Sequence, residues 1–153
     1  MPTAEIKEII PASAEAVFEL LHDYRRRLEW DTLLREARLE PEFGAAARGA
    51  IAVCRGKGFL GVFALRTRYV SFEKGEVAAV KMLNRPPLLD SFAASIRHLP
   101  IDENRSQVIY KVNFAARPRP LRFVLHPLMR AVFVWETRRR LRALKNFFER
   151  RAL

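Results

Sequence analysis

Between Leu33 and Ala116 the sequence falls into six successive strand-like runs, four of them alternating apolar and polar residues, joined by turns and, over Pro41 to Gly49, a loop. Successive side chains of a strand point to opposite faces, so a period of two marks strands with one face turned to a core. The runs are Leu33 to Glu40, Gly49 to Arg55, Val62 to Phe72, Val77 to Leu83, Leu89 to Leu99 and Arg105 to Ala116. In the fifth, Phe92, Ala94, Ile96 and His98 alternate with Ser91, Ser95 and Arg97. Glu73 to Glu76 reads as a hairpin loop with Gly75 at its tip. Asn84-Arg85-Pro86-Pro87 interrupts the sheet, because proline donates no ladder hydrogen bond. Pro100 to Asn104 reads as a turn. Such short connections cannot carry a chain back for parallel pairing, so the sheet is antiparallel.

The flanks supply the rest. Thr3 to Ile10 reads as a first strand, ended by Pro11. Ser13 suits the N-cap of a helix over Ala14 to His22, with Val17, Phe18, Leu20 and Leu21 on its apolar side. Asp23 can cap a second short helix through Arg25–Arg27, Leu28 and Trp30. After Pro118 and Pro120, Leu121 to Leu153 contains no glycine and is rich in Leu, Arg and Ala, which predicts a long helix, broken or kinked near Pro127. Val134, Thr137, Leu141, Leu144 and Phe148 form a stripe that can pack on the sheet. Leu125, Leu128, Val132 and Trp135 form another that does not continue into it. Either a kink re-aims the chain, which is the preferred reading, or one stripe is exposed and suits a dimer contact or a membrane surface.

The order β-α-α-β6-α gives an α+β fold: a seven-stranded curved antiparallel sheet around a long C-terminal helix. At 153 residues it fits one domain, 1–153, able to bury roughly 70% of its unfolded surface. Where helix and sheet do not meet completely, a cavity remains.

Ile10 to Asp31 reads IPASAEAVFELLHDYRRRLEWD. It resembles the opening of the START-like (SRPBCC) superfamily, a strand followed by a Pro-Ala-x-x-x-Val-(Phe/Trp)-x-x-Leu-x-Asp helix and a second helix ending in Trp. Pro11, Ala12, Val17, Phe18, Leu21, Asp23 and Trp30 fill those places. Leu141, Leu144, Lys145 and Glu149 are similar to the superfamily's C-terminal run. The resemblance implies a helix-grip fold with a cavity for a hydrophobic ligand. It brings no universal catalytic motif, so no catalytic residue follows from it.

Several residues are candidates for that cavity. The inward set Phe63, Tyr69, Met82, Phe92, His98, Tyr110 and Phe114 either lines it or is plain core, and Trp30 is either an entrance wall or a packing anchor. Tyr69, Tyr110 and His98 could orient a ligand. His98 is the one candidate general base, because an imidazole titrates near neutrality; its alternative is a hydrogen-bonded core histidine. His22 and His126 read as caps or surface residues. Gly56 to Gly61 matches G-x-G-x-x-G, but a strand pattern follows it, so a turn or a loop at the cavity mouth is expected rather than a dinucleotide site.

Charge is the other constraint. Net charge is +11, and the segment from Arg117 onward carries 11 Lys and Arg against 2 acidic residues. Arg138, Arg139, Arg140, Arg142 and Lys145 therefore form either a solvated helix face or a surface for an anionic membrane or RNA. The single cysteine, Cys54, makes no internal disulfide and no zinc cluster, and no metal or cofactor is expected. The N-terminus lacks an apolar run of signal length, which predicts a cytoplasmic protein, peripheral to a membrane if the basic helix docks there. The function expected is binding or transfer of a lipid, quinone or polyketide-like compound. The alternatives are a cyclase or dehydratase in the same cavity, or an RNA- or ribosome-associated protein using the basic helix.

Overall fold

The computed structural model describes residues 2–57 and 64–151. In chain order the elements are β1 (Thr3–Ile10), α1 (Ala14–Leu21), α2 (Arg27–Trp30), β2 (Leu34–Leu39), β3 (Ile51–Gly56), β4 (Ala64–Glu73), β5 (Val77–Met82), β6 (Leu89–Asp102), β7 (Arg105–Ala116) and α3 (Arg122–Arg151), the last entered through a 3-10 turn at Arg119–Leu121. The strands form one sheet in the order β1-β7-β6-β5-β4-β3-β2, antiparallel throughout. This is a curled helix-grip sheet with a long C-terminal helix. Register shifts at Leu34/Glu36, Tyr69/Ser71, Leu89/Ser91 and Pro100/Asp102 add local twist and help it curl.

Local chemistry sets the element ends. The Ser13 hydroxyl accepts from the Ala16 amide at 3.1 Å and caps α1. Gly75 holds φ at +80° at the β4–β5 hairpin tip, where a side chain would be strained. Burial along β7 follows the expected alternation: Val108, Tyr110, Val112 and Phe114 are all buried. The main core joins these to α1 (Val17, Leu20, Leu21), to Trp30 and to Leu141, Leu144 and Phe147 of α3.

Three local expectations change. Pro100 lies inside β6 rather than in a turn, opposite Ser106 and next to a bulge that absorbs its missing donor. α3 runs through Pro127 as one helix. Its inward residues are His126, Met129, Phe133, Thr137, Leu141 and Leu144, an unbroken series at helical spacing, so no re-aiming is needed. Leu128, Val132 and Trp135 are consequently exposed on the other side. Both faces of the first half of α3 are apolar, which is why two stripes compete in the sequence.

Candidate functional site

A cavity of about 190 Å³ lies between the sheet and α3, roofed by α1 and α2. The sheet contributes Leu65, Thr67 and Tyr69 from β4, Val80 from β5, Phe92 and Ile96 from β6, and Tyr110 and Val112 from β7. Each set follows the period of two, so a single face of the sheet points into the space. α3 contributes Phe133, Glu136, Thr137 and Arg140, one helical turn apart. Leu21, His22, Tyr24 and Arg27 close it from the α1–α2 side.

Two polar clusters interrupt these apolar walls. In the first, the Tyr69 hydroxyl lies 2.7 Å from His22 Nδ1 and 2.8 Å from the Tyr24 hydroxyl. Burial, then the nearby His98 and Arg27, holds the His22 pKa well below its ordinary value, so the ring is neutral at pH 7. Burial likewise pushes both tyrosines up, which keeps them protonated donors. In the second cluster, Asp31 Oδ2 accepts from Arg27 Nε and from Arg140 Nε, each at 2.9 Å. Burial alone would raise the Asp31 pKa, but Arg140 and Arg27 outweigh it and hold the carboxyl below the usual range. Glu136, one turn before Arg140, is raised by burial, only partly opposed by that guanidinium. Two guanidiniums thus face the cavity around one firmly ionised carboxylate.

Of the candidates named from sequence, Tyr69, Phe92 and Tyr110 line this cavity together. Met82 packs against the core, and Phe114 is fully buried against Phe133 and His126. Trp30 is buried beneath the Arg27 guanidinium, 5.0 Å from its ring, and borders a shallow groove between α2 and α3. His98 is 2% exposed, with its ring 5.2 Å from Phe18 and 6.3 Å from His22, and neither ring nitrogen has a partner among the described residues. Its pKa is lowered by burial to about 4. Phe63 lies outside the described residues, as does the Gly58–Gly61 part of the glycine motif. Gly56 ends β3, which pairs antiparallel with β4, so the parallel unit a dinucleotide site requires is not formed.

Of the basic helix residues, Arg138, Arg139 and Arg142 are exposed, and Lys145 lies 3.6 Å from Glu8. Arg140 points inward to Asp31. His22 is the C-cap of α1, but its side chain is buried in the cavity wall rather than at the surface; Tyr24, Arg27, Asp31 and Glu136 were not among the candidates from sequence. The signal was present in part: His22 is four residues after the buried Phe18, and Arg140 lies three after Thr137 on the inward stripe. His126, also read as a cap or surface residue, accepts the Ala116 amide at 3.0 Å, tying β7 to α3.

A helix closing a curled antiparallel sheet over an apolar cavity with a few convergent polar groups defines a START-like cavity protein. More specifically, the chain belongs to the polyketide cyclase/dehydrase and lipid transport family, whose profile matches residues 1–149. No curated protein matched it in sequence. Among solved structures it is similar to the Zhui aromatase/cyclase of a Streptomyces species, at 16% identity and TM-score 0.83 over 99% of this chain and 95% of that one. A START superfamily protein from Mycobacterium smegmatis gives 9% identity and TM-score 0.81 over 98% and 99% of the two chains. A point mutant of Thalictrum flavum norcoclaurine synthase, bound to a transition-state analogue, gives 9% and 0.72 over 99% and 96%. At these identities the likeness establishes the fold alone.

Proposed function

We propose that this protein binds and hands on a small amphipathic molecule, holding its apolar body against the sheet face and its oxygen-bearing end beside Arg27 and Arg140. The observation that carries this reading is the cavity itself: apolar on most sides, with its polar groups gathered into two clusters. Its volume of about 190 Å³ exceeds the roughly 150 Å³ that an apolar cavity needs to take up a benzene ring. It falls short of the roughly 300 Å³ at which drug-sized sites begin. The buried part of the ligand is therefore a ring or short chain. Its polar end is an acid, phenol or enol, because guanidinium donors match an anionic or strongly accepting oxygen best.

Organic extraction of the purified protein followed by mass spectrometry should release such a molecule. Val112→Trp, which fills the cavity from β7, should leave the extract empty while the protein still unfolds cooperatively. Wild-type protein that yields nothing, and that binds neither aromatic acids nor the matched alcohols by calorimetry, would sink the reading.

A second reading, a cyclase or dehydratase in the same cavity, is favoured by the short contact between His22 and Tyr69. A neutral imidazole beside a phenol can take a proton from a bound substrate and return it. On this reading Tyr69→Phe abolishes turnover of an extracted compound while its binding persists. The His98→Ala variant distinguishes whether His98 or the cavity-lining pair handles the proton.

A further inference from the structure

The outward face of α3 is divided lengthwise. Val124, Leu128, Ala131, Val132 and Trp135 share one side of the helix, and all are exposed; Leu128 is 59% and Trp135 49% accessible. Phe123, 78% accessible, and Leu121 stand at its start. Continuing along the same side at the same spacing, the residues become Arg138, Arg139, Arg142, Asn146, Glu149 and Arg150. The junction is marked by Trp135, whose ring lies 5.1 Å beneath the Arg139 guanidinium. No described residue of the fold covers this face. An apolar surface of this extent on one helix marks an interaction site.

We infer that this face docks the protein on an anionic phospholipid bilayer, the first half of α3 entering the headgroup boundary and the arginines meeting lipid phosphates and carboxylates. The inference is independent of what the cavity holds. Charge complementarity selects the occupant. An RNA would engage the arginines and leave the Phe123-to-Trp135 half in water. A second copy of the chain fits poorly in either direction. Parallel pairing sets the arginines against themselves, and antiparallel pairing about Leu128 sets Arg138 and Arg139 against Arg117 and Arg119. A bilayer surface satisfies both halves at once, with tryptophan at the boundary where its ring is half apolar and half polar. No helix among the described residues is long and apolar enough to cross a membrane, so α3 lies on the surface.

The test is flotation of the full-length protein with vesicles of phosphatidylcholine alone or with phosphatidylserine, at about 0.15 M salt. With three exposed arginines contributing, phosphatidylserine should strengthen binding by about a hundredfold. Arg138→Glu/Arg139→Glu/Arg142→Glu should erase that preference. Leu128→Glu/Trp135→Glu should abolish binding to both vesicles. Both sets of sites are solvent-facing, so melting temperatures should stay near wild type. In the wild type, tryptophan emission should shift to shorter wavelength on vesicles, and Trp135→Phe should remove the shift, because Trp30 is already buried. Absence of vesicle binding overturns the inference. So does binding that survives both variants, a dimer dispersed by Leu128→Glu/Trp135→Glu without any lipid binding, or an RNA oligonucleotide bound at a salt concentration where vesicles are not.

Discussion

On the α2–α3 side of the cavity, one carboxylate holds two guanidiniums; on the side of α1 and β4, two phenols and an imidazole hold one another without any formal charge. The charged cluster is nearly closed on itself. Each partner is ionised because the others are, and it fastens α2 to α3 across 109 residues of sequence. The neutral cluster is open. His22 Nε2 and both nitrogens of the adjacent His98 are buried without a partner among the described residues. The charged side therefore fixes the geometry of the cavity, and because each arginine meets Asp31 through Nε, terminal nitrogens remain to face a ligand oxygen. The neutral side is where a proton can still be accommodated.

The widest separation between the two should come from Asp31→Ala. It strands the buried Arg27 guanidinium and the half-buried one of Arg140, and should cost about 3–5 kcal/mol in denaturant unfolding. A near-neutral result would mean that the arginines reach solvent. Acidity separates the clusters by a second route. An unfolded histidine takes up a proton near pH 6.5, whereas folded His98 resists until about pH 4, and His22 is lowered too. Stability should be complete above pH 6.5 and be lost as pH falls toward 4, with His98 accounting for up to about 3 kcal/mol. Asp31, already held below the ordinary carboxylate range, should not respond in that window. Unfolding curves across this range should flatten in His98→Phe; an unchanged slope would place the titration elsewhere. The smallest effect belongs to Tyr69→Phe. Losing the hydroxyl that joins Tyr24 to His22 should cost about 1–2 kcal/mol at neutral pH, measured as a shift in the denaturant midpoint.

The sheet was legible because its rule is local. Alternation along β6 and β7 named Phe92 and Tyr110 as inward without knowledge of their partners, and β4 did the same for Tyr69. The charged cluster was not, because its members come from segments that obey different periods. Arg27 and Asp31 show the spacing of neighbours on a helix, but they sit where apolar periodicity has lapsed, and nothing in sequence says that Arg140 meets them. Arg140 also lies within a run of arginines whose other members do face outward, so composition argued for a surface that this residue does not join. Leu128, Val132 and Trp135 were ambiguous for a related reason. Proline at 127 suggested a break, whereas its missing donor falls in the second turn of α3, with the helix held to β7 by the His126 contact to the Ala116 amide.

The pairing of β1 with β7 has a consequence for biosynthesis. Thr3 is matched with Asn113, and the Thr3 hydroxyl donates to the Asn113 side chain at 2.7 Å, so among the described residues β1 finds its strand partner 110 residues later. At about 5–20 residues per second, a nascent chain carries Ile6 and Ile10 uncovered for roughly 5–20 seconds before that neighbour is made. Closure of the sheet is thus delayed until β7 has been made, and over that interval the apolar side of β1 is open to non-native contacts.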